Sequence, residues 1–132
     1  MKITVKILVV FFLCLVMTGV RSMSYGEEWK SFYETEKERF YFDNTSLERL
    51  DERSFKIWQK TTEKQASGDE VDKYKSLIEV NCAQKIYRTH VLVEYDTITG
   101  RALPEQRYED NQPWIRFPLE SKFGSLYDNF CP

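Results

Sequence analysis

The sequence predicts an α+β fold: a single antiparallel sheet of about six strands, with a C-terminal helix packed on one face and tied there by a disulfide. Three observations predict it. Short runs of alternating apolar and polar residues, separated by polar turns, fill the chain from Glu28 to Arg107. From Ser121 onward the apolar spacing switches to that of a helix. Two cysteines, Cys82 and Cys131, stand beyond an export leader, one on a mid-chain strand and one directly after the helical stripe.

The leader starts with Lys2 and Lys6, runs apolar from Ile7 to Met17, and ends in the small residues Gly19, Ser22 and Ser24. That is the charged, apolar and small-residue order of a signal peptide. Ser22 and Ser24 fit a cut before Tyr25, with cuts after Gly19 or Ser22 as alternatives. The apolar run is shorter than the ~20 residues a permanent spanning helix needs. Residues 1–24 therefore read as a signal peptide and residues 25–132 as one domain, with no membrane insertion after cleavage. Cys14 follows Phe11-Phe12-Leu13, not the small residues that precede an acylated cysteine, and reads as apolar filler of the leader.

Removing 24 of the 132 residues leaves 108, enough for one compact domain. Lys2, Lys6 and Arg21 leave with the leader, so 16 of the 19 Lys and Arg face 21 Asp and Glu, a net charge of −5. An acidic domain lacks the basic footprint of nucleic-acid or anionic-membrane binding. Phe11 and Phe12 also leave, and the 3 Trp, 8 Tyr and 7 Phe that remain argue for a filled core and against disorder.

Within the domain, Glu28 to Glu34 alternates, and Thr35-Glu36-Lys37 turns it into Arg39-Phe40-Tyr41-Phe42-Asp43, a hairpin. Asp43 to Ser46 is a turn whose side chains can accept from nearby backbone donors, after which Leu47 and Leu50 are expected to tuck one helical turn against the sheet edge. Ser54 to Glu63 is a strand rich in aromatic and β-branched residues, and Gln65 to Asp69 is a loop. Along Lys73 to Cys82, period two puts Tyr74, Ile78, Val80 and Cys82 on one face, and Lys73, Lys75, Glu79 and Asn81 on a solvated one. Lys85 to Tyr95 repeats the pattern: Tyr87, Val91, Val93 and Tyr95 on one face, Arg88, His90 and Glu94 on the other. A turn ending at Gly100 leads into a partner strand, Arg101 to Arg107. Trp114 to Pro118 is extended, and Pro118 stops pairing. Phe123, Leu126, Tyr127 and Phe130 form the helical stripe, with Ser121 placed as N-cap and Gly124 weakening the interior by up to about 1 kcal/mol. So short a helix needs docking.

In an exported domain the pair Cys82 and Cys131 reads as a disulfide; the alternative is two free buried thiols. Joined, they close a loop of about 50 residues, worth roughly 4 kcal/mol in the chain-entropy model. Catalysis finds little support. A Cys-His pair would need Cys82 and His90 in reach, yet period two sets them on opposite faces; the enzyme reading would need a pocket joining His90 to two carboxylates. One histidine and two bonded cysteines leave no metal-ligand set, and no glycine-rich phosphate loop or other cofactor motif is present. Trp29, Trp58 and Trp114 are expected chiefly in the core, as tryptophan in small β domains usually is. Trp58 stands on the opposite side of its strand from Phe55, so an exposed aromatic platform for glycans is the alternative. A free sheet edge could accept a peptide strand, although charged edge residues discourage that.

The order Trp29, Phe40-Tyr41-Phe42-Asp43, Ser46-Leu47, Ile57-Trp58, Glu79-Val80-Asn81-Cys82, Tyr95, Gly100, Trp114, Pro118, Ser121, Leu126 and Cys131 resembles the surface-adhesin protein E family of small exported bacterial domains. The resemblance spans nearly all of the domain, and the Asn-Cys strand paired with a terminal cysteine is its most specific part. It implies a sheet with a disulfide-held C-terminal helix, and an adhesin that binds host matrix or serum proteins. Where an acidic partner would want basic residues, before the Asn-Cys strand, this chain offers Lys73 and Lys75 behind Gly68-Asp69-Glu70. The expectation is a non-enzymatic exported envelope protein, periplasmic or at the cell surface, that binds a protein or glycan partner there. Lys73, Lys75 and Trp58 are its candidate ligand-binding residues. The alternative is a glycan or cell-wall module using exposed aromatics.

Overall fold

The structure, a computed structural model, describes residues 27–132; the signal-peptide assignment to residues 1–24 lies outside them. Eight strands form one open sheet: β1 (Trp29–Glu34), β2 (Glu38–Asp43), β3 (Glu48–Asp51), β4 (Ser54–Lys64), β5 (Glu70–Asn81), β6 (Ile86–Glu94), β7 (Gln106–Arg107) and β8 (Ile115–Arg116), followed by α1 (Lys122–Phe130). All neighbours run antiparallel. The main path is β1-β2-β4-β5-β6-β7, with β3 added on β4 and β8 on β6. The count exceeds the expected six because Glu48–Asp51 and Ile115–Arg116 join the sheet as β3 and β8. The turn Asn44–Ser46 is itself the 3-10 helix, capped by the Asp43 carboxylate, so Glu48–Asp51 is free to pair with Glu48 opposite Lys56; no helical turn forms at Leu47 and Leu50, and Leu50 is exposed. The expected strand Arg101–Arg107 shrinks to a bridge, Tyr95 to Ala102, and the two residues of β7. Pro104 lies between them and has no N–H for a ladder.

One side of the sheet carries the core. Phe40 and Phe42 on β2, Phe55 and Ile57 on β4, and Ile78 and Val80 on β5 are all buried there, as alternation in the long central strands requires. The stripe on α1 meets them: Phe123 and Leu126 are buried, and Phe130 sits edge-on to Phe42 with ring centroids 4.9 Å apart. Ser121 caps the helix, its Oγ accepting from Gly124 N. Glycine at 124 is required by packing: a Cβ there would meet Leu119 O at 1.9 Å. The disulfide Cys82–Cys131 is formed, with the Cα atoms 5.7 Å apart. It pins the end of α1 to the strand end of β5, and Arg49 Nη1 donates to Phe130 O at 2.9 Å beside it.

Simple alternation fails at four register shifts, two against the edge strands (between Ser31 and Tyr33 on β1, and between Arg49 and Asp51 on β3) and two between the central strands. On β6, Thr89 faces Ile78 and Val91 faces Leu77, so His90 is an extra residue. Tyr87 therefore stays on the helix side, while Val91, Val93 and Tyr95 cross to the other, contrary to their predicted shared face. On β5, Tyr74 faces Thr61 and Asp72 faces Thr62, leaving Lys73 extra. Lys73 Nζ then reaches Glu38 Oε2 at 3.0 Å, on Phe40's side of the sheet, whereas Lys75 lies on the opposite side. The two lysines do not share the solvated face expected of them.

Candidate functional site

The side of the sheet away from α1, here the outer face, gathers aromatics and lysines. Register places Trp29 opposite Asp43, Tyr41 opposite Lys60, and Lys60 opposite Lys75. Trp58 points outward because Phe55 and Ile57, of opposite parity to it, point to the core. The expectation that the tryptophans fill the core is overturned: Trp29 and Trp58 are half-buried on this face, and Trp114 is exposed. Trp58, Trp29, Lys75, Val93 and Tyr95, with the acids Glu27 and Asp43, line a recess of about 400 Å³.

Cations and rings alternate across it. Lys60 Nζ lies 4.9 Å from the Trp29 ring centroid and 5.1 Å from that of Tyr41. Lys75 Nζ lies 5.4 Å from Trp29 and 5.9 Å from Tyr95. Such contacts are worth about 0.5–1 kcal/mol when exposed and more when dry. Burial pulls the Lys75 ammonium down, but the Tyr95 hydroxyl and the Glu27 carboxylate outweigh it and hold the pKa above the ordinary lysine value. Trp29 Nε1 donates to Glu27 Oε2 at 3.0 Å, which fixes the ring. Asp43 is held by its own turn, accepting from Glu28 N, Thr45 N and Thr45 Oγ1. The recess therefore offers flat rings beside a lysine that is paired with Glu27, and aromatic rings with polar neighbours anchor protein interfaces and sugar rings alike.

Of the three predicted ligand-binding residues, the structure brings Trp58 and Lys75 together and leaves Lys73 on the other side with Glu38. Trp29, Tyr95 and Lys60 were missed as partners. Trp29 was readable from its alternating strand; Tyr95 was not, because its side depends on the His90 bulge.

A second polar cluster lies farther along the outer face. His90, expected at the surface, is buried with Glu79. His90 Nε2 donates to Glu79 Oε1 at 2.7 Å, and Arg88 Nη2 donates to the same oxygen at 3.1 Å. Asp110 Oδ1 lies 3.5 Å from His90 Nδ1, and the Arg88 guanidinium stacks 4.3 Å from the Trp114 ring. His90 thus meets two carboxylates, but Arg88 occupies the near side of Glu79, and His90 lines neither the aromatic recess nor the cavity beside α1 on the other side of the sheet. Cys82 is on the helix side and bonded. Among the described residues no group of three or more His, Cys, Asp or Glu could hold a metal ion, and no helix is long and apolar enough to cross a membrane.

Fold and recess together define a small, disulfide-stapled sheet domain with an aromatic and lysine-lined surface. The sequence model of the surface-adhesin protein E family matches residues 29–132, and the chain belongs to that family. No curated protein and no solved structure matches it.

Proposed function

We propose that this domain is a non-enzymatic exported adhesin, periplasmic or at the cell surface, that holds a protein partner on the outer face of its sheet. The class of partner is an extracellular-matrix or serum protein. The carrying observation is the recess where Trp29 and Tyr95 flank Lys75 and Trp58 joins the lining. Family membership supports the adhesin class, and the sequestered Cys82 supports a role without nucleophilic chemistry. Aromatic and basic anchors at the centre of an interface carry most of its energy. In binding assays on a panel of immobilised matrix and serum proteins, Trp58→Ala and Lys75→Ala should each weaken the best partner by about tenfold or more. Binding to none of the panel, or unchanged binding by both variants, would overturn the reading.

The partial exposure of Trp29 and Trp58 favours one second reading, a glycan or cell-wall ligand stacked on those rings. Titration with glycans discriminates: quenching of tryptophan fluorescence that Trp58→Ala abolishes supports it, and no quenching across a glycan panel counts against it.

A further inference from the structure

The helix side of the sheet is apolar at only one end. Along β4 and β5, Phe55, Ile57, Ile78 and Val80 give way to Gln59, Thr61 and Ser76, and on β6 Thr89 follows Tyr87. Gln59, Ser76 and Thr89 form the floor of a cavity of about 400 Å³ that α1 does not fill. Its size falls within the range of small-molecule sites, about 300–1,000 Å³. Tyr87 and Phe123, stacked with centroids 3.7 Å apart, form one wall, and the segment carrying Tyr108 and Gln112 forms the opposite rim.

The floor is built from polar groups that the fold does not need. Gln59 is 3 % exposed; its Nε2 donates to Ser76 Oγ at 2.8 Å, while its Oε1 has no partner among the described residues. A buried polar atom left unpaired is costly, and apolar residues would have continued the core without that cost. The charge of the lining is equally selective. No carboxylate lines the cavity, although acids outnumber bases in the chain. Lys122 is its one cation. Lys122 is also the first residue of α1, where the helix macrodipole disfavours positive charge. Its Nζ has no ion-pair partner among the described residues; it lies 4.7 Å from the Phe40 ring and 3.4 Å from Tyr74 Oη.

We propose that this cavity binds a sugar-sized hydroxylated carboxylate, a ligand of the uronic-acid class. Lys122 takes the carboxylate, and the amide and hydroxyl groups of Gln59, Ser76 and Thr89 take sugar hydroxyls, to which they can both donate and accept. The Tyr87 and Phe123 rings supply an apolar wall for the C–H face of the sugar. One lysine without a guanidinium fork matches a monoanion better than a phosphate dianion. The site lies across the sheet from the recess of Trp58 and Lys75, so it stands or falls independently of the proposed adhesin role.

The test is calorimetric titration of the purified, oxidised protein with glucuronate, glucose and acetate. Glucuronate should bind saturably, glucose about tenfold more weakly, and acetate not at all, reflecting one charge-assisted contact added to the hydroxyl contacts. Lys122→Met keeps an unbranched apolar stem in place of the ammonium that lies over Phe40 and should reduce glucuronate affinity to the glucose level. Trp58→Ala should leave it unchanged. No saturable glucuronate binding, equal affinity for glucose and glucuronate, or unchanged affinity in a folded Lys122→Met protein would each overturn the proposal.

Discussion

Gly124 sets helix propensity against fit. Alanine is the better helix former by about 1 kcal/mol, yet its Cβ would collide with the Leu119 backbone at 1.9 Å. Backbone cannot yield as a flexible side chain would, so Gly124→Ala should destabilise by about 1–3 kcal/mol net, read as a lower urea midpoint. Glu79 poses the opposite problem, one acceptor serving two donors. Its side chain is 10 % exposed, and removing it leaves Arg88 and His90 facing each other with nothing between. Glu79→Ala should cost about 3–5 kcal/mol, as breaking a buried pair does, whereas Glu79→Gln keeps an acceptor and should cost less. Equal losses in the two variants would show that charge, not hydrogen bonding, holds the cluster.

At the scale of elements, α1 has nine residues and is marginal alone; the disulfide and the Phe123, Leu126 and Phe130 contacts hold it. Cys131→Ser should lower stability by about 4 kcal/mol in the chain-entropy model, and amide exchange should show the helix losing protection before the central strands. Uniform loss across the chain would contradict that order. The helix, its cap and its stripe were legible because a change of apolar period is a long-range signal. So were β4 and β5, where many residues repeat one alternation; parity set Trp58 opposite Phe55 but did not say which of those two sides is covered. The bulges at Lys73 and His90 were not legible: one inserted residue leaves the local composition unchanged and alters only the facing of residues beyond it. The two-residue strands β7 and β8 are too short to carry any period, and β3 is fixed by its partner more than by its own residues. Two residues of the candidate site, Trp58 and Lys75, were thus named in advance, while Tyr95 depended on an insertion.

Among the described residues the molecule is one sheet thick with α1 covering one side, so its exposed ionic network responds directly to solution conditions. Glu34 is held below the usual carboxylate range by hydrogen bonds from Arg39 and Lys64, and Asp51 by the backbone N–H of Arg53. Burial pushes Glu70 up, but hydrogen bonds from Tyr41 and Thr62 and the Arg39 charge bring it below its ordinary value. The folded chain therefore holds these protons more weakly than the unfolded chain does. The resulting stability is full above the unfolded carboxylate value of about 4 and is lost as pH falls through the lower folded values. Chemical denaturation midpoints should accordingly fall between about pH 5 and pH 2, and added salt should shrink the change because the pairs are exposed. A midpoint insensitive to acid would refute this. The outer face has a further property that stems from His90. Because that insertion decides which way Val93 and Tyr95 turn, deleting His90 would swing both to the helix side, as well as taking the imidazole from Glu79. Strand length, and not only the identity of the side chains, thus sets which chemistry the outer face presents.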